Sequence, residues 1–312
     1  MHISLEEAIQ AIRKGKVIAI PTETVYGLAA SLDHSAALEQ IFALKKRPLL
    51  NPLIVHISAM EQIDSCISEY PPHFDKIATT FWPGPLTCIL PVNEGIPPIV
   101  RAGLRTVGVR MPALSLTRQL IQEVGPLAMP SANLSGKPSA TKIEHIEEDF
   151  GLDFPILKGG TGIKGLESTV IFYREGQWSI IRQGALSQEA FAPVLGYIPS
   201  IAVKDKETIL CPGQLFRHYA PLAKLFISSQ DREDCSCILG FIEKNYPLGK
   251  TVFFLGSLHD PVKVAESLYE TLRRLDREGI KKAWIDTDFP QEGLWRTIRE
   301  RILRAAATED SK

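Results

Sequence analysis

Apolar and polar positions switch between two periods along the first half of the chain. SLEEAIQAI, opening at Ser4, has helical spacing, a serine in the N-cap position and acids in the first turn. VIAIPTETVYGLAA follows as a short apolar β run, a Pro-Thr-Glu-Thr turn and Gly27. SAALEQIFALKK returns to helical spacing at Ala37, Ile41 and Leu44 and ends in cations, whereas PLIVHI is β-branched and strand-like. FWPGPLTCILPV couples a Trp-Pro-Gly-Pro turn to a strand, TVGVRMPA predicts another, and a helix is predicted near residues 115–124. PSANLSGKPSAT is a loop of small polar residues leading into the helical TKIEHIEEDFG, and ESTVIFY (167–173) with WSIIRQGA (178–185) predicts a late hairpin.

The pattern changes after about residue 200. KDKETILCPGQLFRHYAP (204–221) is polar, with two prolines and a glycine, and reads as an interdomain linker. Beyond it the β runs LAKLFI, CILGFI, TVFFLG and AWIDT alternate with the helical VKVAESLYETLRRLDREG and GLWRTIRERILRAAA. Such alternation predicts a small Rossmann-like parallel sheet flanked by helices. No G-x-G-x-x-G follows its first strand, which argues against a dinucleotide site there. The expected organisation is two α/β domains, residues 1–203 and 222–312, joined by a linker over 204–221.

Composition narrows the function classes. The 312 residues are 45% apolar and 23% charged with a formal net charge of −1, so the chain exerts no global pull on nucleic acid or membranes. Anion binding has to come from local clusters. The five cysteines include a C-x-C at 235–237 without a second pair for zinc. The first residues read as an amphipathic helix and not a signal peptide, and no stretch approaches 18 apolar residues. A reduced, cytoplasmic setting is the expectation.

Four polar clusters stand where strands meet loops, the ends at which α/β sheets bind ligands. Thr22, Glu23 and Thr24 form either a capped turn or part of a site. Lys45, Lys46 and Arg47, with Asn51 and His56, are either a helix end favoured by the dipole or a fork for phosphate oxygens. Ser131, Asn133, Ser135 and Ser139, near Lys137, lie on a loop whose following helix start offers N–H groups to phosphate, or are simply a loop. Ser168, Thr169 and Arg182 end adjacent strands, where serine and threonine are common. The clusters share one chemistry: many donors for anions and few candidate bases. No Ser-His-Asp order, H-E-x-x-H or phosphate loop of the G-x-x-x-x-G-K-[ST] type is legible. Such a site suits charge stabilisation in phosphoryl or nucleotidyl chemistry.

PTETVYGL, KKRPLLNPLIVHI, FWPGPLT, VGVRMP, PSANLSGKPSAT, ESTV and IIRQG occur in the order and approximate spacing of the YrdC-like domain. The linker's G-x-x-x-x-H-Y-x-P and the C-terminal helices extend the likeness, so that nearly the whole chain resembles the two-domain form of the L-threonylcarbamoyladenylate synthase family. One departure is GLWRTIRERILRAA, where the family usually has small residues after Gly-Leu. The resemblance implies a twisted mixed sheet around a large cleft, and a reaction of L-threonine, bicarbonate and ATP that gives threonylcarbamoyl-AMP and pyrophosphate. Other proteins would then transfer the threonylcarbamoyl group to tRNA beside the anticodon.

The same resemblance assigns residues. Lys45 and Arg47 would be catalytic, gripping phosphates and carbamate. Arg47, Asn51, Thr106, Ser131, Asn133, Ser139, Arg182 and Tyr219 would meet ATP. Thr24, His56, Arg110, Met129 and Ser168 would hold threonine, with Arg110 on its carboxylate. Mg²⁺ is implied by ATP, with no dedicated carboxylate pair for it. Tyr219 would fold the linker back over the site.

Two other functions fit parts of the sequence. Arg273, Arg274, Arg277, Lys281, Lys282, Arg296, Arg299 and Arg304 form a basic face that would suit RNA, although acids close by make a solvated helix face the simpler reading. Carbamoyl transfer from carbamoyl phosphate, as in hydrogenase maturation factors, would come with an acylphosphatase-like region and zinc-finger cysteines, which this sequence lacks.

Overall fold

The computed structural model describes residues 1–159, 164–202 and 218–307. In the first part the described strands are β1 (His2–Ile3), β2 (Ile18–Ile20), β3 (Gly27–Ser31), β4 (Ile54–His56), β5 (Leu86–Pro91), β6 (Thr106–Arg110), β7 (Leu127–Ala128), β8 (Ile156–Leu157), β9 (Thr169–Arg174) and β10 (Gln177–Arg182). They form one sheet in the order β1-β8-β2-β3-β7-β4-β6-β5-β9-β10. Parallel pairs such as β4/β6 and β5/β9 are interleaved with antiparallel ones such as β2/β3 and β5/β6. This is the mixed sheet that the family resemblance implies.

Helices cover both faces: α1 (Leu5–Arg13), α2 (Ser35–Lys45), α3 (Phe74–Phe81), α4 (Pro98–Arg101), α5 (Ser115–Val124), α6 (Ile143–Phe150) and α7 (Ala192–Leu195). The period of two in β2 and β3 decides which side chain meets which layer. Ile18, Ile20 and Ala29 pack under α1 and α5, while Ala19, Leu28 and Ala30 join the larger core against α2. Helix α1 starts at the predicted Ser4, which accepts the Glu7 N–H and has its own N–H held by the Glu7 carboxylate, a capping box. The late hairpin is β9 and β10, and its register shifts between Ile180 and Arg182. The shift sets Arg182 opposite Val170 and turns it toward the start of β9, as bulges beside sites commonly do.

The second part has the predicted parallel sheet, β11 (Lys224–Phe226), β12 (Cys237–Phe241), β13 (Thr251–Gly256) and β14 (Lys282–Ile285), in the order β11-β14-β12-β13. Helices α8 (Pro261–Arg277) and α9 (Leu294–Ala306) lie against the first part. Val25 and Leu166 share one buried apolar cluster with Tyr219, Leu268, Tyr269 and Ile298. Around it Arg273 donates to the Pro138 carbonyl and the Asp149 carboxylate, and Arg277 pairs with Glu148. Arg273 is 3% exposed, so it does not belong to the solvated basic face that the sequence suggests. An isolated guanidinium could not stay buried; here Asp149 and a carbonyl pair it. Most of the linker expected at 204–221 lies outside the described residues.

Candidate active site

One cavity, with an open volume of about 480 Å³ that includes its mouth, gathers residues from all four sequence clusters. Thr22 and Thr24 come from the turn between β2 and β3, and Gly27 opens β3. Arg47 follows α2; Ile54 and His56 lie on β4, and Arg110 ends β6. Met129, Pro130 and Ser131 follow β7, Glu167 and Ser168 precede β9, and Arg182 ends β10.

The Lys45-Lys46-Arg47 triplet is split by the way α2 stops. Lys46 takes the left-handed conformation (φ 51°, ψ 44°), so that the Arg47 N–H reaches the Phe42 carbonyl at 2.9 Å. A non-glycine residue accepts that conformation at a cost of about 1–2 kcal/mol. The result is that Lys45 and Arg47 are buried and Lys46 is exposed. The Lys45 ammonium donates to the carbonyls of Ser131 and Asn133, each at 2.5 Å, and the Ser135 N–H donates to the Lys45 carbonyl. Arg47 donates to the Asn51 and Pro52 carbonyls and reaches the cavity.

Further bonds close the ring. Gly27 bridges to Ser131, and the Tyr26 carbonyl accepts the Ala132 N–H. Ser139 donates to Glu167 at 2.6 Å, Arg182 donates to the Ser168 carbonyl and hydroxyl, and Thr87 shares a hydroxyl bond with Ser168. The Thr22 hydroxyl donates to the Val25 carbonyl, so the Thr24 hydroxyl donates to Thr22 and keeps its lone pairs as acceptors. These groups are fixed before any ligand arrives.

Two carboxylates sit in this cationic setting. Glu23 takes Arg110 Nη2 at 2.6 Å and the Ala113 N–H at 3.0 Å, while Arg110 Nε donates to the Gly84 carbonyl. Glu167 accepts from Ser139, Tyr269 and Arg301, and Arg301 with Arg182 holds its carboxyl below the usual range against the opposing effect of burial. Burial, reinforced by Arg110, holds His56 neutral, well below an ordinary histidine pKa. Its Nδ1–H bonds the Ile54 carbonyl at 3.2 Å, which leaves Nε2 as an acceptor. Burial and Arg47 likewise press the Lys45 pKa down.

All five residues expected at threonine (Thr24, His56, Arg110, Met129 and Ser168) line the cavity. Of the ATP set, Arg47, Ser131 and Arg182 line it. Asn133 and Ser139 stand behind the wall, bonded to Ser131 and Glu167. Asn51 is 3% exposed, and its Oδ1 lacks a hydrogen-bond partner among the described residues, a vacancy that a ligand donor would fill. Tyr219 stacks on Tyr269 with the Arg301 guanidinium 4.7 Å from its ring centre. Thr106 is not brought in; it opens β6 opposite Pro91, four residues before Arg110. Lys137 pairs with Asp149 at 2.9 Å, so it braces the loop where the sequence suggests a phosphate contact.

The sequence reading passed over Glu167, Tyr269 and Arg301. Glu167 stands within ESTV, but nothing local marks an acid whose partners Tyr269 and Arg301 lie more than a hundred residues away. Among the described residues, no three His, Cys, Asp or Glu side chains cluster as a metal site. Glu167 in the cavity wall and Glu23 behind Arg110 are both committed to arginines, a donor set that does not fit a protein-held divalent ion.

Comparison with known proteins gives the family. A family profile described as Telomere recombination matches residues 10–184, and one described as Threonylcarbamoyl-AMP synthase, C-terminal domain, matches 186–307. The threonylcarbamoyl-AMP synthase of Pyrococcus abyssi is 38% identical over 95% of this chain and 92% of its own length. The crystal structure of Pyrococcus abyssi Sua5 complexed with L-threonine superposes with a TM-score of 0.89 at 34% identity, covering 98% of this chain and 97% of the other. The protein of the same name from Bacillus subtilis is 37% identical over 97% of this chain and 92% of its length. A shorter relative of that name, from Photobacterium profundum, is 31% identical over 58% of this chain and 99% of its own length. Matching profiles on both halves and a relative aligned nearly end to end place this chain in the Sua5-type, two-domain family of threonylcarbamoyl-AMP synthases.

Proposed function

We propose that this cavity joins L-threonine, bicarbonate and ATP into L-threonylcarbamoyl-AMP and pyrophosphate, for threonylcarbamoyladenosine modification of tRNA next to the anticodon. The observation that carries the reading is the convergence of Arg47, Arg110 and Arg182 with Thr24, His56, Met129 and Ser168 around one space. The reactants are mostly anions, and their mutual repulsion is the barrier a set of fixed cations lowers.

At the threonine end, Glu23 and Gly84 occupy Nη2 and Nε of Arg110, so the substrate carboxylate meets Nη1. The neutral His56 Nε2 accepts from the threonine hydroxyl, and Met129 with Ile54 packs its methyl group. At the ATP end, Arg47, Ser131 and Arg182 face the phosphates, and Asn51 offers its unpartnered Oδ1. Lys45, Asn133 and Ser139 hold those groups in place, and Tyr219 completes the nucleotide set. The threonine amine attacks bicarbonate and releases water, giving a carbamate. A carbamate oxygen then attacks the α-phosphorus and expels pyrophosphate. Arg47, with Lys45 behind it, offsets the charge that gathers there. Mg²⁺ enters as part of the ATP substrate, with phosphate and water as its ligands.

No described helix is long and apolar enough to cross a membrane. The work is assigned to the cytoplasm, where downstream transferase proteins take the product to tRNA; any tRNA contact by this chain is secondary. The test is conversion of ATP to AMP and pyrophosphate that requires both threonine and bicarbonate. Arg47→Ala should lower its rate by about 10²–10³-fold. Full activity in that variant refutes the assignment, and activity with carbamoyl phosphate in place of threonine and bicarbonate reinstates the rival chemistry.

A further inference from the structure

We propose that the second domain is a working part of the active-site wall, in which Arg301 and Tyr269 act as positioning residues for Ser168, Arg182 and Ser139. The inference rests on the reading that the cavity binds threonine and ATP.

Glu167 lines the cavity one residue before Ser168. Its carboxylate takes the Tyr269 hydroxyl from α8 at 2.8 Å, Arg301 Nε from α9 at 3.1 Å and the Ser139 hydroxyl at 2.6 Å. Arg301 is fully buried and also donates Nη2 to the Gln183 carbonyl at 2.7 Å. Thr297, one turn earlier on α9, donates to the Gly184 carbonyl at 3.0 Å. Two helices of the second domain therefore grip the residue before Ser168 and the two residues after Arg182. Gly184 in turn lies flat on that strand start: a Cβ there would come within 2.3 Å of Ser168 C and Thr169 N. Moving either gripped segment moves the other.

Packing makes the grip close. Gly165 lies against the backbone of α8, where a Cβ would stand 2.3 Å from the Ala265 carbonyl oxygen. Arg301 also covers the Tyr219 ring, which stacks on Tyr269 at 5.4 Å. A carboxylate buried in this wall needs a cation, and the second domain supplies one. A relative aligned over 99% of its length to 58% of this chain has no room for such a domain. The dependence is thus a property of the two-domain architecture and not of the reaction.

The experiment measures steady-state kinetics of the full-length chain with varied threonine and varied ATP, across pH. Arg301→Gln should raise KM for threonine by about 10- to 100-fold, the scale of a misplacement near 1 Å. It should also move the acidic limb of kcat/KM to higher pH, because Glu167 loses the larger of the two charges, Arg301 and Arg182, that keep it ionised. Arg301→Lys should recover part of both effects, and Tyr269→Phe should show the same trend more weakly. Arg277→Ala breaks an interdomain ion pair remote from Glu167 and should leave kinetics unchanged. Folded Arg301→Gln with the parent KM and pH profile overturns the proposal. If Arg301→Gln does not fold, Tyr269→Phe decides, and parent behaviour there overturns it equally. An inactive Arg47→Ala beside an unaffected Arg301→Gln sinks this proposal alone, whereas a fully active Arg47→Ala sinks the cavity reading beneath it.

Discussion

Lys45→Met isolates what the buried ammonium does before any substrate arrives. Methionine keeps the length and most apolar contacts of the side chain but leaves the Asn133 carbonyl without its donor and the Ser131 carbonyl with the Asn133 N–H alone. Each buried group so orphaned costs about 1–3 kcal/mol. Part of that is returned because an ammonium whose pKa burial already presses down no longer has to be desolvated. The net loss is about 1–3 kcal/mol, and at roughly 2–4 °C per kcal/mol the melting midpoint falls by about 2–12 °C. The assay is thermal unfolding of the ligand-free protein, paired with KM for ATP. A ligand-free midpoint equal to that of the parent, together with a raised KM for ATP, would mean that Lys45 faces the phosphates and does not brace the loop.

Arg110→Lys should raise KM for threonine at least about 10-fold while KM for ATP stays near the parent value, because a point charge cannot serve Glu23, Gly84 and a substrate carboxylate at fixed angles; steady-state kinetics with each substrate varied decides it. Asp149→Asn removes the carboxylate that pairs buried Arg273 and Lys137, and should cost about 3–5 kcal/mol in urea unfolding; a loss under about 1 kcal/mol contradicts the pairing. Burial lowers the pKa of His56 and His145 and pushes His218 down to about 3. The unfolded chain therefore binds more protons than the folded one below the ordinary value of 6.5, so stability falls on acidification from there toward pH 3. Urea midpoints that stay level between pH 7 and pH 5 would contradict this sign.

How much of this was legible in the sequence depends on the range of the interaction. Local rules suffice for α1, whose Ser4–Glu7 box is four residues long, and for the β9–β10 hairpin, whose two runs are adjacent. The parallel sheet of the second part follows from β-α alternation alone. Convergence of the four clusters was readable through family likeness, since nothing in KKR or PSAN says that they meet through Lys45 and Ser131. Three features lay beyond the sequence. Lys137 and Arg273 look like anion donors or solvated cations, and only the tertiary fold brings Asp149 to both. Thr106 stands near Arg110 in sequence, but the extended strand carries it away from the cavity. Glu167 reads as an ordinary residue before a strand until α8 and α9 arrive from a hundred residues downstream.

The central claim is that one cavity between β4, β6 and the start of β9 receives both substrates. A crystal structure of the chain with L-threonine and a non-hydrolysable ATP analogue tests it most directly. The threonine carboxylate should lie on Arg110 Nη1, its hydroxyl on His56 Nε2, and the analogue's phosphates against Arg47, Ser131 and Arg182, with the α-phosphate nearest the amine. Nucleotide seated at the strand ends of the second domain, or threonine remote from Arg110, would contradict the account.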